Sequence, residues 1–216
     1  MSIQIRHISD PSEEEMLRAA NVLHEAFGKQ YFLGALGGNQ SLVEPFLLGH
    51  VKAAVIGGNL YVAELPNEGI VGVALWFGPG QKFLGSSEQL NAGWNQTMDQ
   101  LNETARKWWD KFLIFVDEVA EKIFGDGQKL ASYHLQTFGV LPDHQKKGYG
   151  TLLMKTVQQK AAKESTTVTV ETMGESAVPI YKGMGFQVIG PVVVDTPSGA
   201  KANAYGFKVE RSLPPV

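Results

Sequence analysis

Residues 133–151 read YHLQTFGVLPDHQKKGYGT, and the order of residue types in this stretch decides the architecture. Tyr133, Leu135, Phe138 and Val140 form an apolar, β-prone run that stops at Pro142, because proline cannot donate to a sheet ladder. A short polar loop leads into Gln145-Lys146-Lys147-Gly148-Tyr149-Gly150, and a helical pattern opens at Thr151. A strand that passes through a glycine-bearing loop into a helix is suited to holding an anion. The first helical amides have no carbonyl partner, the helix dipole places partial positive charge there, and glycine admits a bulky group. Lys146 and Lys147 add formal positive charge. The stretch therefore predicts a phosphate cradle. Its spacing is neither G-x-G-x-x-G nor G-x-x-x-x-G-K-[ST], so it is not the dinucleotide or nucleoside triphosphatase form.

Downstream, Leu153, Met154, Val157 and Ala161 make the helix amphipathic, and residues 166–172 (TTVTVET) read as a strand. Residues 176–182 fit a short helix with Pro179 in its first turn. Residues 186–194 and 202–209 are two further strands across Asp195-Thr196-Pro197-Ser198-Gly199. Upstream, residues 2–8 alternate as a first strand. Asp10 then suits a helix cap, Pro11 the first helical position and Glu13 a capping-box acid. Met16, Ala20, Leu23 and Phe27 mark that helix's apolar face, with His24 beside them as a structural histidine. Residues 28–40 form a glycine-rich loop whose Tyr31 and Phe32 suit either a binding rim or the core. Ser41 and Glu44 predict a second capping box, opening a helix that ends at Gly57-Gly58. Residues 59–65 and 70–77 predict an antiparallel hairpin across Pro66-Asn67-Glu68-Gly69.

Between residues 86 and 124 the texture changes. Leu90, Trp94, Met98, Leu101, Ala105, Trp108, Phe112, Phe115, Val119 and Ile123 recur at spacings of three and four without an internal proline. One unbroken helix of that length would run roughly 55 Å, too long for a domain of this size. A bend or break, giving two helices, is expected.

Composition narrows the class. The 216 residues suffice for one domain, and 44% hydrophobic with 19% charged content is that of a soluble globular chain. A net charge of −3 argues against nucleic acid as a partner. There is no cysteine, which excludes disulfides, thiolate metal sites and a cysteine nucleophile; no metal is expected. No apolar run is long enough to span a bilayer and no signal pattern opens the chain, so no membrane partner and a cytoplasmic location are expected.

Gln145-x-x-Gly148-x-Gly150 behind a strand ending Val140-x-Pro142 resembles the acetyl-CoA signature of the GNAT (GCN5-related N-acetyltransferase) superfamily. Tyr181-Lys182-Gly183-Met184-Gly185-Phe186 is similar to that family's Y-x-x-x-G-F, in the expected order after the fifth strand. Residues 140–150, Glu171-Thr172 and the approach to Tyr181 resemble the puromycin N-acetyltransferase-like members in particular. The resemblance implies a single GNAT domain over residues 1–216: an α/β fold with a mixed, twisted central sheet, splayed fourth and fifth strands and flanking helices. A helical insertion at about residues 83–127, between the third and fourth strands, is its main departure.

The resemblance also implies roles. Acetyl-CoA is the expected cosubstrate. Its pantetheine arm would pair with the main chain of Phe138, Gly139 and Val140, with Gly139 easing close approach. Its pyrophosphate would rest on Gln145, Lys146, Lys147, Gly148, Tyr149, Gly150 and Thr151. Many members carry an asparagine near the fourth helix, where this chain offers Gly174, Glu175 and Ser176; the contact is either missing here or made by Ser176. Tyr181 corresponds to the general acid that protonates the departing thiolate, its ordinary pKa of about 10 lying above that of a thiol. A Tyr181 that only packs against the cofactor, or bonds its sulfur without transferring a proton, is the alternative. Glu171 is the first choice for binding or deprotonating the amine, ahead of Glu64, Glu25 and His134. Glu25, Tyr31, Phe32, Trp76, Trp108 and Phe112 are candidates for the acceptor pocket, with core packing or a dimer interface as the alternative for the aromatic stripe. The implied reaction is acetyl transfer to a primary amine, of a small molecule first, by a monomer or homodimer. A protein or peptide acetyltransferase and a non-catalytic acyl-CoA-binding module are the alternatives.

Overall fold

The computed structural model describes residues 2–28 and 30–210. Its strands are β1 (Gln4–Ile8), β2 (Asn59–Leu65), β3 (Gly69–Phe77), β4 (Tyr133–Val140), β5 (Val168–Met173), β6 (Gln187–Asp195) and β7 (Lys201–Val209). They form one sheet in the order β1-β2-β3-β4-β5-β7-β6. β4 and β5 run parallel, with Tyr133 opposite Val168 and His134 opposite Thr169. The pairs β1–β2, β2–β3, β5–β7 and β6–β7 are antiparallel. The mixed α/β sheet of the sequence reading is thus observed, including the β2–β3 hairpin. By contacts between Cα atoms the chain divides into two compact units.

The first unit takes the chain up to Phe77, together with Gln81–Arg106 and Leu135–Thr156. Helices α1 (Glu13–Phe27) and α2 (Val43–Gly57) pack on each other and on β3. β3 is buried along almost its whole length, which fits its continuous apolar run IVGVALWF. The cap of α1 differs from the expected one. Ser12, not Asp10, is the N-cap, and Glu15, not Glu13, closes the box: Glu15 N–H donates to Ser12 Oγ, and Ser12 N–H donates to Glu15. Pro11 lies outside the helix, because a capping box needs its acid three residues beyond the hydroxyl. Similarly, the Ser41–Glu44 box is absent. Asn39 caps a 3-10 turn (Gln40–Leu42) that leads into α2.

The helical stretch after β3 is broken, as its length required. It comprises α3 (Ser87–Gln89), a π turn (Leu90–Trp94), α4 (Asn95–Met98) and α5 (Glu103–Phe124). Gly93 has φ of 140°. A Cβ there would lie 3.3 Å from the Gly49 Cα, so two glycines let the π turn touch α2 backbone to backbone. The start of α5 is held by Ala105 N–H donating to Asn102 Oδ1 at 2.9 Å.

The second unit takes Gly78–Gly80, Lys107–His134 and the chain from Val157 onwards. Here Phe115, Val119 and Ile123 of α5 pack with Val194 and Ala204, and Phe112 rests against the same cluster. A Cβ on Gly206 would lie 2.1 Å from Ile123, so the glycine in β7 makes room for α5. This end of the aromatic stripe is therefore core. α6 (Tyr149–Lys163) begins two residues earlier than the sequence pattern suggested, and α7 (Val178–Gly183) carries Pro179 in its first turn as expected. Among the described residues, no helix is long and apolar enough to cross a membrane.

Candidate active site

In the first unit, β4 ends at Val140 and a 3-10 turn, Pro142–His144, redirects the chain. Gln145 folds back, its Nε2 donating to Val140 O at 3.1 Å. Lys146 and Gly148 both adopt the left-handed region, φ 59° and 84°, so the loop turns twice before the helix. Leu152 N–H to Gly148 O is the first bond of the helical pattern. The amides of Tyr149, Gly150 and Thr151 precede it and have no partner within the helix. None of the described residues comes within 4 Å of a Cβ placed on Gly148. Open space at Gly148, three amides without a helical partner, and Lys146 and Lys147 in the same loop are features able to receive an anion. His144, buried beneath this loop, lies 3.0 Å through Nε2 from Glu68 of the β2–β3 turn, and its ring faces Tyr149.

Gly139 has a different reason to be glycine from the one expected. A Cβ there would lie 2.6 Å from the Ala26 Cβ and 3.4 Å from Leu23. The close approach it permits is that of α1.

In the second unit, Glu171 of β5 sits in a network of polar side chains. Lys129 Nζ donates to Glu171 Oε1 at 2.8 Å and stands 3.7 Å from Asp117 Oδ1. His134 Nε2 lies 3.3 Å from Glu171 Oε2. That Oε2 is buried and takes part in no hydrogen bond among the described residues. The His134 ring is buried too, and Nδ1 meets Thr169 Oγ1 at 3.1 Å. Burial brings its pKa down to about 4; Glu171 opposes the fall, Lys129 adds to it and Asp117 opposes it. Tyr181 of α7 packs against Phe207 and Phe186, with ring centroids 4.7 and 5.5 Å away. Burial first, and the Glu171 charge second, raise its phenol well above the usual range. The structure thus brings Tyr181 within electrostatic reach of Glu171. A phenol so placed keeps its proton until a strong base develops beside it.

Residues 85–196, more than half of the chain, match the family model described as Acetyltransferase (GNAT) domain. The chain belongs to the GNAT acetyltransferase family. Its reaction class is N-acetyl transfer, for which GNAT proteins use acetyl-CoA as cosubstrate. No curated protein matches the sequence. Solved structures share the GNAT fold at low identity. One is a Corynebacterium glutamicum protein described as histone acetyltransferase HPA2 and related acetyltransferase: 20% identical, TM-score 0.59, all of both chains covered. A Drosophila melanogaster polyamine N-acetyltransferase is 18% identical with TM-score 0.59, covering 97% of this chain and 100% of its own. A mosquito arylalkylamine N-acetyltransferase-like protein is 16% identical with TM-score 0.60, covering 96% and 100%.

The remaining candidates of this GNAT chain are distributed as follows. Phe138 is half-buried and Val140 buried near the end of β4, and Ser176 is exposed in the 3-10 turn (Glu175–Ala177) before α7. In the first unit, Tyr31 is 67% exposed and its ring meets Phe32 at 4.9 Å. Glu25 is half-buried near the end of α1. Trp76 has no exposed surface, and its indole Nε1 has no partner. Glu64, a weaker base candidate, is engaged by Arg6 Nε at 2.6 Å. In the second unit, Trp108 stacks on Phe112 at 4.5 Å. Lys129, Asp117, Thr169 and Ser132 were not foreseen. Lys129 is 42 residues from Glu171, and no local pattern marks such a pair.

Proposed function

We propose that this GNAT protein acetylates the primary amine of a small molecule, with Tyr181 as proton donor and Glu171 as the group that receives the amine. The observation that carries this reading is the second unit's pairing of a phenol held protonated with a buried carboxylate. Acetyl-CoA supplies the activated acetyl thioester. Lys146, Lys147 and the amides of Tyr149 to Thr151 hold its pyrophosphate, Gly148 admits it, and the main chain of Phe138 to Val140 pairs its amide arm. Ser176 adds a polar contact. Glu171 draws the acceptor's cationic nitrogen and helps it lose a proton. Tyr181 gives its proton to the departing sulfur.

Glu171 retains only 11% side-chain exposure, which suits one enclosed amine better than a protein surface. Likeness of residues 140–150 to puromycin N-acetyltransferase-like members supports a small-molecule acceptor. So do fold relatives named for polyamine and arylalkylamine acetylation. Within the second unit, Trp108 with Phe112 is the aromatic pair proposed to shape the acceptor's surroundings. The whole chain is proposed to act as one catalytic domain, with the insertion at residues 83–127 contributing Asp117.

The test is release of free thiol from acetyl-CoA against a panel of polyamines, arylalkylamines, aminonucleosides and lysine peptides. The chain has no cysteine, so a thiol reagent reads product alone. Turnover with small amines is expected. Turnover with peptides only, or binding of acetyl-CoA without turnover, overturns the proposal in favour of a protein acetyltransferase or a binding module.

A further inference from the structure

The hydrogen-bond chain behind His134 has a direction. Ser132 Oγ donates to Lys129 O at 2.9 Å, and a carbonyl only accepts. A hydroxyl has one proton, so Ser132 must accept from Thr169 Oγ1, 2.6 Å away. Thr169, having given its proton to Ser132, must accept from His134 Nδ1 at 3.1 Å. His134 therefore carries its ring proton on Nδ1, and its Nε2 is a bare lone pair. That lone pair lies 3.3 Å from Glu171 Oε2, which is itself buried without a hydrogen bond. Two acceptors face each other with no donor between them. A buried acceptor in the state of Glu171 Oε2 is rare.

The groups facing His134 are Glu171 from β5, Lys129 from the segment before β4, and Asp117 from α5. The imidazole, brought down to about 4 by burial, is neutral at pH 7. What Glu171 Oε2 lacks is an N–H donor.

We propose that His134 Nε2 and Glu171 Oε2 together form the seat of the acceptor's ammonium group, and that Thr169 and Ser132 are positioning residues that set the His134 tautomer for it. This rests on the acetyltransferase reading for the ligand's class. It adds a second acceptor and a reason for a polar chain that the reaction itself does not use. Lys129 has two functions in it: its ammonium orients Glu171 through Oε1, and its carbonyl ends the chain.

The test combines nitrogen-15 NMR of the imidazoles with kinetics. His134 is assigned by loss of its signals in His134→Gln. In the free protein at pH 7, a protonated Nδ1 and a bare Nε2 are expected, and ethylammonium chloride, but not sodium chloride, shifts Nε2. Thr169→Val releases the tautomer and raises the acceptor KM about tenfold or more, with the acetyl-CoA KM unchanged; Thr169→Ser keeps both at wild-type values. Should Thr169→Val fail to fold, Ser132→Ala removes the next link and reads the same quantities. A protonated Nε2 in the free protein, or a His134 signal indifferent to ethylammonium, overturns the seat. A protein that acetylates amines with a protonated Nε2 keeps its function and loses this seat. One whose bare Nε2 responds to ethylammonium, yet which acetylates nothing, keeps the seat and loses the function.

Discussion

The loop ahead of α6 and the cluster around Glu171 are made from opposite materials. The loop uses main-chain amides within one continuous run of residues, shaped by two left-handed positions, Lys146 and Gly148. The cluster uses side chains, with the Lys129 carbonyl at its end, drawn from α5, the segment after it, β4 and β5: Asp117, Lys129, Ser132, His134, Thr169 and Glu171. A main-chain site tolerates most substitutions that keep its backbone angles. A side-chain site depends on each identity and on the topology that gathers them. One construction suits a cosubstrate common to a family, and the other suits a partner that differs between members.

Both units also contain a buried imidazole, which makes acid the largest perturbation expected. His50 of α2 donates Nδ1–H to Phe46 O at 2.9 Å and is stacked on Phe83. His50 and His134 are both brought down to about 4, chiefly by burial. An imidazole whose folded pKa is depressed adds stability above its unfolded pKa of about 6.5, and this stability is lost as pH falls toward 4. Each contributes about 3 kcal/mol on that basis. Urea unfolding across this window should show two protons taken up. His50→Leu should reduce the slope by one proton, about 1.4 kcal/mol per pH unit. A slope unaltered by that change would mean that His50 is already charged or accessible, and the two units would then differ in their response to acid.

Tyr181→Phe should lower turnover roughly ten- to a thousandfold while acetyl-CoA binding stays the same. Steady-state kinetics with a binding titration separate the two. Loss of binding together with rate would make Tyr181 part of the cosubstrate's seat, and the division of labour between loop and cluster would fail.

Gly148→Asp attacks the other side of the comparison. Acetyl-CoA at a hundred times its dissociation constant should stabilise the wild-type protein by about 2.7 kcal/mol. The variant should lose that thermal shift, because it places a charged branched side chain at φ 84° beside the amides. A retained shift would move the phosphate site away from α6.

The smallest effect is expected for Glu68→Ala. Glu68 is 56% exposed where it meets His144, so the pair is screened and worth at most about 1 kcal/mol. Chemical denaturation and the acetyl-CoA dissociation constant should both change little. A larger loss would show that the β2–β3 turn sets the loop's conformation.

Much of this was legible from sequence, for reasons that follow the same contrast. The loop is contiguous, so Gln145-x-x-Gly148-x-Gly150 displayed it whole. The hairpin announced itself by alternation and Pro66-Asn67-Glu68-Gly69. Tyr181 and Glu171 came by resemblance, and burial and charge bring them within reach of each other. Lys129 and Asp117 were illegible because their partner lies far along the chain and surface lysines and aspartates look the same. Asp10 looked as good a cap as Ser12, since both can accept from a helix amide; the Ser12–Glu15 reciprocity is what settles the start. Gly139 was legible as a close approach but not as an approach of α1, because glycine records that space is needed and not which neighbour needs it.

The placement of β7 has a consequence for how the chain is made. β5 pairs with β7 from Val168 to Met173 and with β4 at Val168 and Thr169. β6 pairs with β7 across most of its length. During synthesis β6 emerges before the strand that joins it to the sheet, and β5 waits with an open edge for residues 201–209. Such an edge is a template for other chains, and domains that wait for distant pairings fold slowly. A ribosome stalled before Lys201 therefore holds Glu171 and Tyr181 without the strand on which they settle, Gly206 opposite Glu171 and Phe207 against Tyr181.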